Sequence, residues 1–307
     1  MHHARKPVML LRIAPALFVF LWSSGFIGTK LAVAGAEPFT LLSIRFVMVL
    51  AILIPVGMLV TPASLTASQR FHAIVAGALL HASYLGGISW GAYNGMDANV
   101  TALICSLQPV LTAIFAGLML RDVITRRHLT GLALGLAGTL LVIMPKFGSS
   151  GLGSLGAPGV TSVVVALLAI TAGTIYQKRF ATGIPLLPGA VWQFVGALAI
   201  SAPISFLAET QQVNWTPSFI FALLWLVCVL SLGAISLLML LIRENAVSRT
   251  SALFYLVPSV TSLMAFVIFG ETLSVVQIVG FAIVTFAVIL MQQSPSATGP
   301  APRGGVS

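Results

Sequence analysis

Stretches of about twenty apolar residues alternate along this chain with short polar breaks, falling near 12–31, 39–60, 72–93, 98–120, 127–145, 158–178, 187–207, 217–240, 249–269 and 274–292. A run of that length crosses a hydrocarbon core roughly 30 Å thick at about 1.5 Å per helical residue. The pattern predicts ten membrane-spanning helices with almost nothing folded outside the bilayer. The longest break, "KFGSSGLGSLGAPG" at 146–159, is a Gly/Ser-rich flexible connection. It divides the chain into a first unit at 1–147, a linker at 148–157 and a second unit at 158–292, five spans in each. The tail, 293–307, is rich in Pro, Gly and Ser and reads as disordered and cytoplasmic.

Composition supports this reading, with 58% hydrophobic and 7% charged residues among 307, where a soluble domain is about a quarter charged. The formal net charge of +9 would suggest nucleic acid on a soluble protein, but here the charges punctuate apolar segments and form no patch. Arg5, Lys6 and Arg12 ahead of an apolar run, with "AVAGA" after it, resemble a cleavable signal. The run is longer than such signals carry, and losing it would break the five-plus-five division, so it is read as a retained span. Cys105 and Cys228 lie inside apolar runs and read as buried, inert thiols.

With the N-terminus in the cytoplasm, twelve of the fifteen Lys and Arg fall on the inner side, two (Lys30 and Lys146) on the outer, and Arg45 inside a span. That bias fixes the orientation by the positive-inside rule and puts both termini in the cytoplasm. Five spans per unit is an odd number, so the second unit enters the membrane upside down relative to the first. "RDVITRRHLTG" (121–131) and "GETLSVVQIVG" (270–280) register at an offset of 149, pairing Asp122 with Glu271, Thr125 with Ser274 and Gly131 with Gly280. The second copy, facing outward, lacks the arginines, which would oppose insertion there. Pro109 pairs with Pro258 and Thr101 with Thr250 at the same offset, and "SSGFIGTK" (23–30) pairs with "TAGTIYQK" (171–178) at 148. The fold class expected is therefore an all-α integral membrane protein of ten helices in two inverted five-helix repeats, an architecture typical of secondary transporters.

These residues carry a family resemblance. Trp22, Gly25 and Lys30, then Pro38 and Arg45, Pro109 and Pro258, and the acid-to-glycine pairs Asp122/Gly131 and Glu271/Gly280 resemble the EamA-type repeats of the drug/metabolite transporter superfamily over roughly residues 12–292. The resemblance implies ten helices, both termini cytoplasmic, and export of amino acids or other small metabolites. One departure is that Gln193 stands where the second repeat would match Arg45.

Polar residues inside spans are costly unless they face protein or water. The substrate-cavity candidates are Trp22, His81, Tyr84, Thr101, Gln108 and Tyr255. His81 and Tyr84 share a helix face; span four aligns Thr101, Cys105, Gln108 and Thr112, and span nine Ser251, Tyr255, Pro258 and Ser262. The competing reading of these stripes is helix packing. Lys30 and Arg45 are candidate gating or structural charges, Arg45 with Asp97 or Glu271 as counter-ion, and Pro109 and Pro258 are candidate hinges. Trp90 reads as an interface anchor. The sequence has no His-Glu-x-x-His motif, paired membrane aspartates or histidine cluster, so neither an enzyme nor a metal or other cofactor site is expected. The acids all fall near span ends, which disfavours cationic substrates. The expected function is a secondary transporter of the bacterial-type inner membrane, exporting amino acids or related small metabolites by alternating access, with protons a candidate coupling ion. Import or facilitated passage of neutral metabolites, and a non-transport membrane role, are the alternatives.

Overall fold

The structure, a computed structural model, describes residues 8–60, 64–96, 101, 104–120, 125–150, 157–244, 247–269 and 273–293. Among them every regular element is helical, and one isolated antiparallel bridge joins Ala36 and Val213 in the connecting segments. The helices are α1 (Val8–Ala32), α2 (Pro38–Val60), α3 (Ala67–Tyr93), α4 (Gln108–Leu120), α5 (Arg126–Ser150), α6 (157–181), α7 (Leu186–Ala208), α8 (Pro217–Glu244), α9 (247–269) and α10 (Val275–Gln292). Seven of them, α1–α3, α6–α8 and α10, are long and apolar enough to cross a membrane.

Two of the other three, α4 and α9, depart from the predicted spans for a shared reason. Ahead of α4 the chain makes a tight turn in which the Leu107 N–H donates to the Ile104 carbonyl at 3.1 Å. Inside α9, a 3-10 turn at Leu253–Tyr255 has the Leu256 N–H donating to the Leu253 carbonyl. The two turns lie 149 positions apart. Pro109 and Pro258 follow them directly, in the first turn of the helical segment beyond, where a missing N–H leaves no bond unmade. The prolines thus start helices at a break and do not kink helices from within.

Other features recur at a similar offset. The wide π-turn segment of α3 begins at Ala78 and that of α8 at Leu226, 148 positions on. Thr125 and Ser274 both act as helix N-caps, accepting from the backbone three residues later at 3.1 and 3.3 Å. Helices α5 and α10 cross antiparallel at their glycines. A Cβ on Gly131 would lie 3.1 Å from the Ala287 carbonyl oxygen, and one on Gly280 would lie 2.8 Å from that of Gly138. Because 131 pairs with 280 and 138 with 287, these are one contact made twice.

The two ends of the bundle differ. At one, here called the turn end, the α1–α2 and α7–α8 connections are tied together. Glu209 accepts from the Phe39 and Thr40 N–H groups at 2.8 and 2.7 Å, and Glu37 accepts from the Thr210 N–H at 2.6 Å. Carboxylates at helix N-termini satisfy donors that the helix leaves free. The opposite, cation end carries Arg70, Lys178, Arg179, Arg243 and Arg249. There the Lys178 Nζ donates to the Ile242 and Arg243 carbonyls at the end of α8, at 2.9 and 3.1 Å, and the Arg179 Nη1 to the Met119 carbonyl at the end of α4, at 2.9 Å. Cations on helix C-terminal carbonyls are the favourable pairing, and they draw α4, α6 and α8 together.

Candidate functional site: a cleft beside Arg45

Between α1, α2, α3 and α8 lies a cleft of about 400 Å³, counting its part open to solvent. It occupies the turn-end half. Trp22 stands ten residues, roughly 15 Å, before the end of α1, and Thr29 three residues before it. Helix α1 supplies Trp22, Gly25, Phe26 and Thr29, and α3 supplies Tyr84, Leu85 and Ile88. Leu226, Leu230 and Ile235 come from α8, and Arg45 from α2. The indole of Trp22 stacks on the ring of Tyr84 at 6.0 Å with 17° between planes, and Phe254 meets Trp22 edge-on at 5.3 Å. Gly25 lets α8 come close, since a Cβ there would lie 2.9 Å from the Leu230 Cδ1.

Arg45 is buried at 3% exposure. It stands seven residues, roughly 10 Å, inside the start of α2, a height set by the Glu209 carboxylate holding that helix start. Its Nε donates to the Ser231 hydroxyl at 2.8 Å, in the π-turn segment of α8, and it makes no ion pair among the described residues. Asp97 and Glu271, the counter-ions considered from sequence, lie outside those residues.

The pseudo-equivalent position gives the counterpart. Gln193 of α7, 148 after Arg45, also reaches a π-turn segment, that of α3: its Oε1 lies 3.2 Å from the His81 Nε2, and its Nε2 donates to the Gln177 Oε1 at 2.9 Å. The His81 ring stacks on Phe194 at 4.7 Å and 11°. This second crossing is tight: a Cβ on Gly77 or on Gly196 would clash with the backbone of Gln193 or of Ile74, respectively. At the matching positions of the first crossing stand Trp225 and Met48; Trp225 turns to α1, where its Nε1 donates to the Ser24 hydroxyl at 3.0 Å.

The structure brings Trp22, Tyr84 and Arg45 together and leaves the other candidates elsewhere. His81 is buried at the second crossing, its Nδ1 without a partner among the described residues. Thr101 is buried, and Gln108 is buried with neither amide atom bonded among the described residues. Tyr255 donates its hydroxyl to the Leu132 carbonyl at 3.1 Å and lies against Gly135. Lys30 is exposed near the end of α1. Trp90 is half-buried near the end of α3, and Cys228, expected to be buried, is exposed on the perimeter of the bundle, where an apolar run meets lipid. Thr29, Ser231 and the reciprocal Glu37 and Glu209 contacts were not among the sequence candidates. The repeat offset could have found Ser231, because Ser83 sits 148 before it.

Several buried polar atoms with no hydrogen-bond partner among the described residues lie below the cleft, toward the cation end, and others lie elsewhere in the bundle. Those below the cleft include the His81 Nδ1, both Gln108 amide atoms and the Thr112 and Ser251 hydroxyls. Each such group costs about 1–3 kcal/mol. A larger groove of about 1080 Å³ between α1, α8 and α9 is lined by side chains such as Phe20, Ile27, Phe221 and Val267. It is almost wholly apolar and suits a lipid chain, with nothing to fix a polar solute.

The model of the EamA-like transporter family matches this chain twice, over residues 10–144 and 157–292. The chain is 24% identical over 290 residues to the uncharacterized inner membrane transporter YedA of Escherichia coli (strain K12), covering 92% of this chain and 91% of that one. It is 23% identical over 295 residues to the uncharacterized transporter YvbV of Bacillus subtilis (strain 168), covering 94% and 93%. It is 25% identical over 225 residues, 67% of each chain, to a probable terminal-alkyne amino-acid exporter of Streptantibioticus cattleyicolor. One solved crystal structure superposes with a TM-score of 0.73 at 19% identity, covering 91% of this chain and 94% of its own, a likeness of fold alone. The chain belongs to the EamA-like transporter family and is a multi-pass membrane transporter, not an enzyme.

Proposed function

We propose that this protein is a secondary exporter of amino acids or related small metabolites, working by alternating access across the cytoplasmic membrane with ten spans in two inverted five-helix repeats. The first repeat takes residues 1–147 and the second 158–292, the 148–157 linker joins them, and both termini are cytoplasmic. The cation end faces the cytoplasm by the positive-inside rule, so the turn end and its cleft face outward.

The observation that carries the reading is the unequal state of two matched crossings. At the first, a cleft reaches the midplane. At the second, the same positions are closed, and several polar atoms between it and the cation end are buried without partners among the described residues. A rocking motion that exchanges the two arrangements would hydrate those atoms and close the Arg45 cleft, as inverted repeats permit. The Trp22 and Tyr84 rings and Arg45 then form the substrate site, the breaks before Pro109 and Pro258 serve as hinges, and Lys178 and Arg179 hold the inner gate. Likeness to a named amino-acid exporter supports both the direction and the size of the cargo.

Overproduction should raise extracellular levels of one or a few such metabolites and increase tolerance to their toxic analogues. If well-expressed protein speeds uptake and leaves release unchanged, the importer reading replaces this one. Reporter fusions after Ser307 and within 121–128 should read cytoplasmic, and one near Glu271 external.

A further inference from the structure

Resting on the substrate site just proposed, we infer that the cleft takes organic monocarboxylates with a compact apolar or aromatic body and no free ammonium group: amine-free acids or amine-capped amino acids, ahead of zwitterionic amino acids.

The charge of the site decides this. Arg45 is the one ionised residue among the described residues of the cleft lining. It has no ion-pair partner among the described residues. A guanidinium carries five N–H donors in a planar fork; the Nε is committed to Ser231, which leaves the Nη face for a bidentate carboxylate. Buried charge is stabilised when its partner brings it to neutrality. A monoanion does so. A zwitterion adds an ammonium that needs an acceptor of its own, and among the described residues the lining offers the Thr29 and Tyr84 hydroxyls and no carboxylate. A cation would add to the existing charge.

The rest of the cleft sets the body. The stacked Trp22 and Tyr84 rings form a flat apolar wall, and Leu226, Leu230 and Ile88 complete it. The enclosed part of the cleft is small, much of the space beside these residues being open to solvent. It suits a single ring or a short branched chain.

The test uses the full-length purified protein in lipid nanodiscs and a matched series: 3-phenylpropionate, N-acetylphenylalanine, phenylalanine, 3-phenylpropionamide and phenethylamine. Binding is read by thermal stabilisation and by Trp fluorescence. The two anions should bind at least about tenfold more tightly than phenylalanine or the amide, with phenethylamine weakest. Arg45→Gln should level the series, whereas Arg45→Lys should keep the preference for anions at reduced affinity. If Arg45→Gln fails to fold, Ser231→Ala, which frees the guanidinium while leaving its charge, should weaken both anions several-fold and keep their rank. Phenylalanine binding as well as or better than 3-phenylpropionate overturns the inference, as does an anion preference that survives Arg45→Gln. Failure of the whole series to bind also overturns it. The exporter reading is judged separately, by metabolite release from overproducing cells, and it stands if release persists while this series fails.

Discussion

Arg45 and Gln193 occupy matching places in the two halves and make matching reaches, each from the second helix of its repeat to a π-turn segment on the third helix of the other, yet their surroundings differ. Around Gln193, glycines at 77 and 196 bring backbone against backbone and every polar contact is neutral. Around Arg45, Trp225 and Met48 stand at the corresponding positions and a charged cleft opens. A helix pair with glycines at its crossing approaches closely enough to exclude solvent. The first crossing lacks that glycine pair and has a cleft beside Arg45. The difference teaches that an approximate repeat need not duplicate its chemistry. In the proposed site one charge, in one half, sets the selectivity, and the neutral copy can close at no cost in buried charge.

The largest effect expected from breaking this contrast is at the glycine seam. Gly77→Leu drives a side chain into the backbone of Gln193 and should leave little folded protein, read as loss of the monodisperse peak in detergent. Gly25→Leu meets only the flexible Leu230 side chain, so it should express near wild type while filling the cleft and stopping transport. Normal folding of Gly77→Leu would remove the tight crossing from the account.

Next in size is the charge. Arg45→Gln makes the first crossing resemble the second, and should cut transport at least about tenfold, equivalent to roughly 1.4 kcal/mol of lost binding, with Arg45→Lys retaining part of the rate. Gln193→Leu should reduce transport less, about two- to threefold, because it leaves the substrate site intact.

The smallest effect concerns His81. Its ring packs on Phe194 and bonds Gln193 away from the cleft, so His81→Gln, which can keep that bond, should leave both the transport rate and its dependence on pH close to wild type. A large change in the pH profile with the protein folded would make His81 a proton-coupling group instead.

Much of this organisation was legible from apolar periodicity and the repeat offset, because a run of twenty apolar residues admits few alternatives to a helix in lipid. The breaks in α4 and α9 were not, since Pro109 and Pro258 signal a helix start and a kink equally well until the preceding hydrogen bonds are known. Of the polar stripes, Thr101, Gln108, Thr112, Ser251, Tyr255 and Ser262 are buried, a burial that cavity lining and helix packing share. Period alone says which face is inside and not what lies opposite, so Tyr255 reads like Tyr84 in sequence but meets a glycine where Tyr84 meets a cleft. Ser231 lies 186 residues from Arg45, a distance at which only the repeat could have suggested a pairing.

The central claim is that the two crossings exchange roles. It is tested most directly by single cysteines at Tyr84, in the cleft, and at Gln177, beside Gln193, with Cys105 and Cys228 replaced, in sealed vesicles of known orientation treated with a membrane-impermeant maleimide. At rest, Tyr84→Cys should react from the outer side and Gln177→Cys from neither. During turnover, Gln177→Cys should become reactive from the cytoplasmic side as Tyr84→Cys becomes protected. Reaction of both positions from one side at the same time, or a Gln177→Cys that stays inert through turnover, would contradict the account.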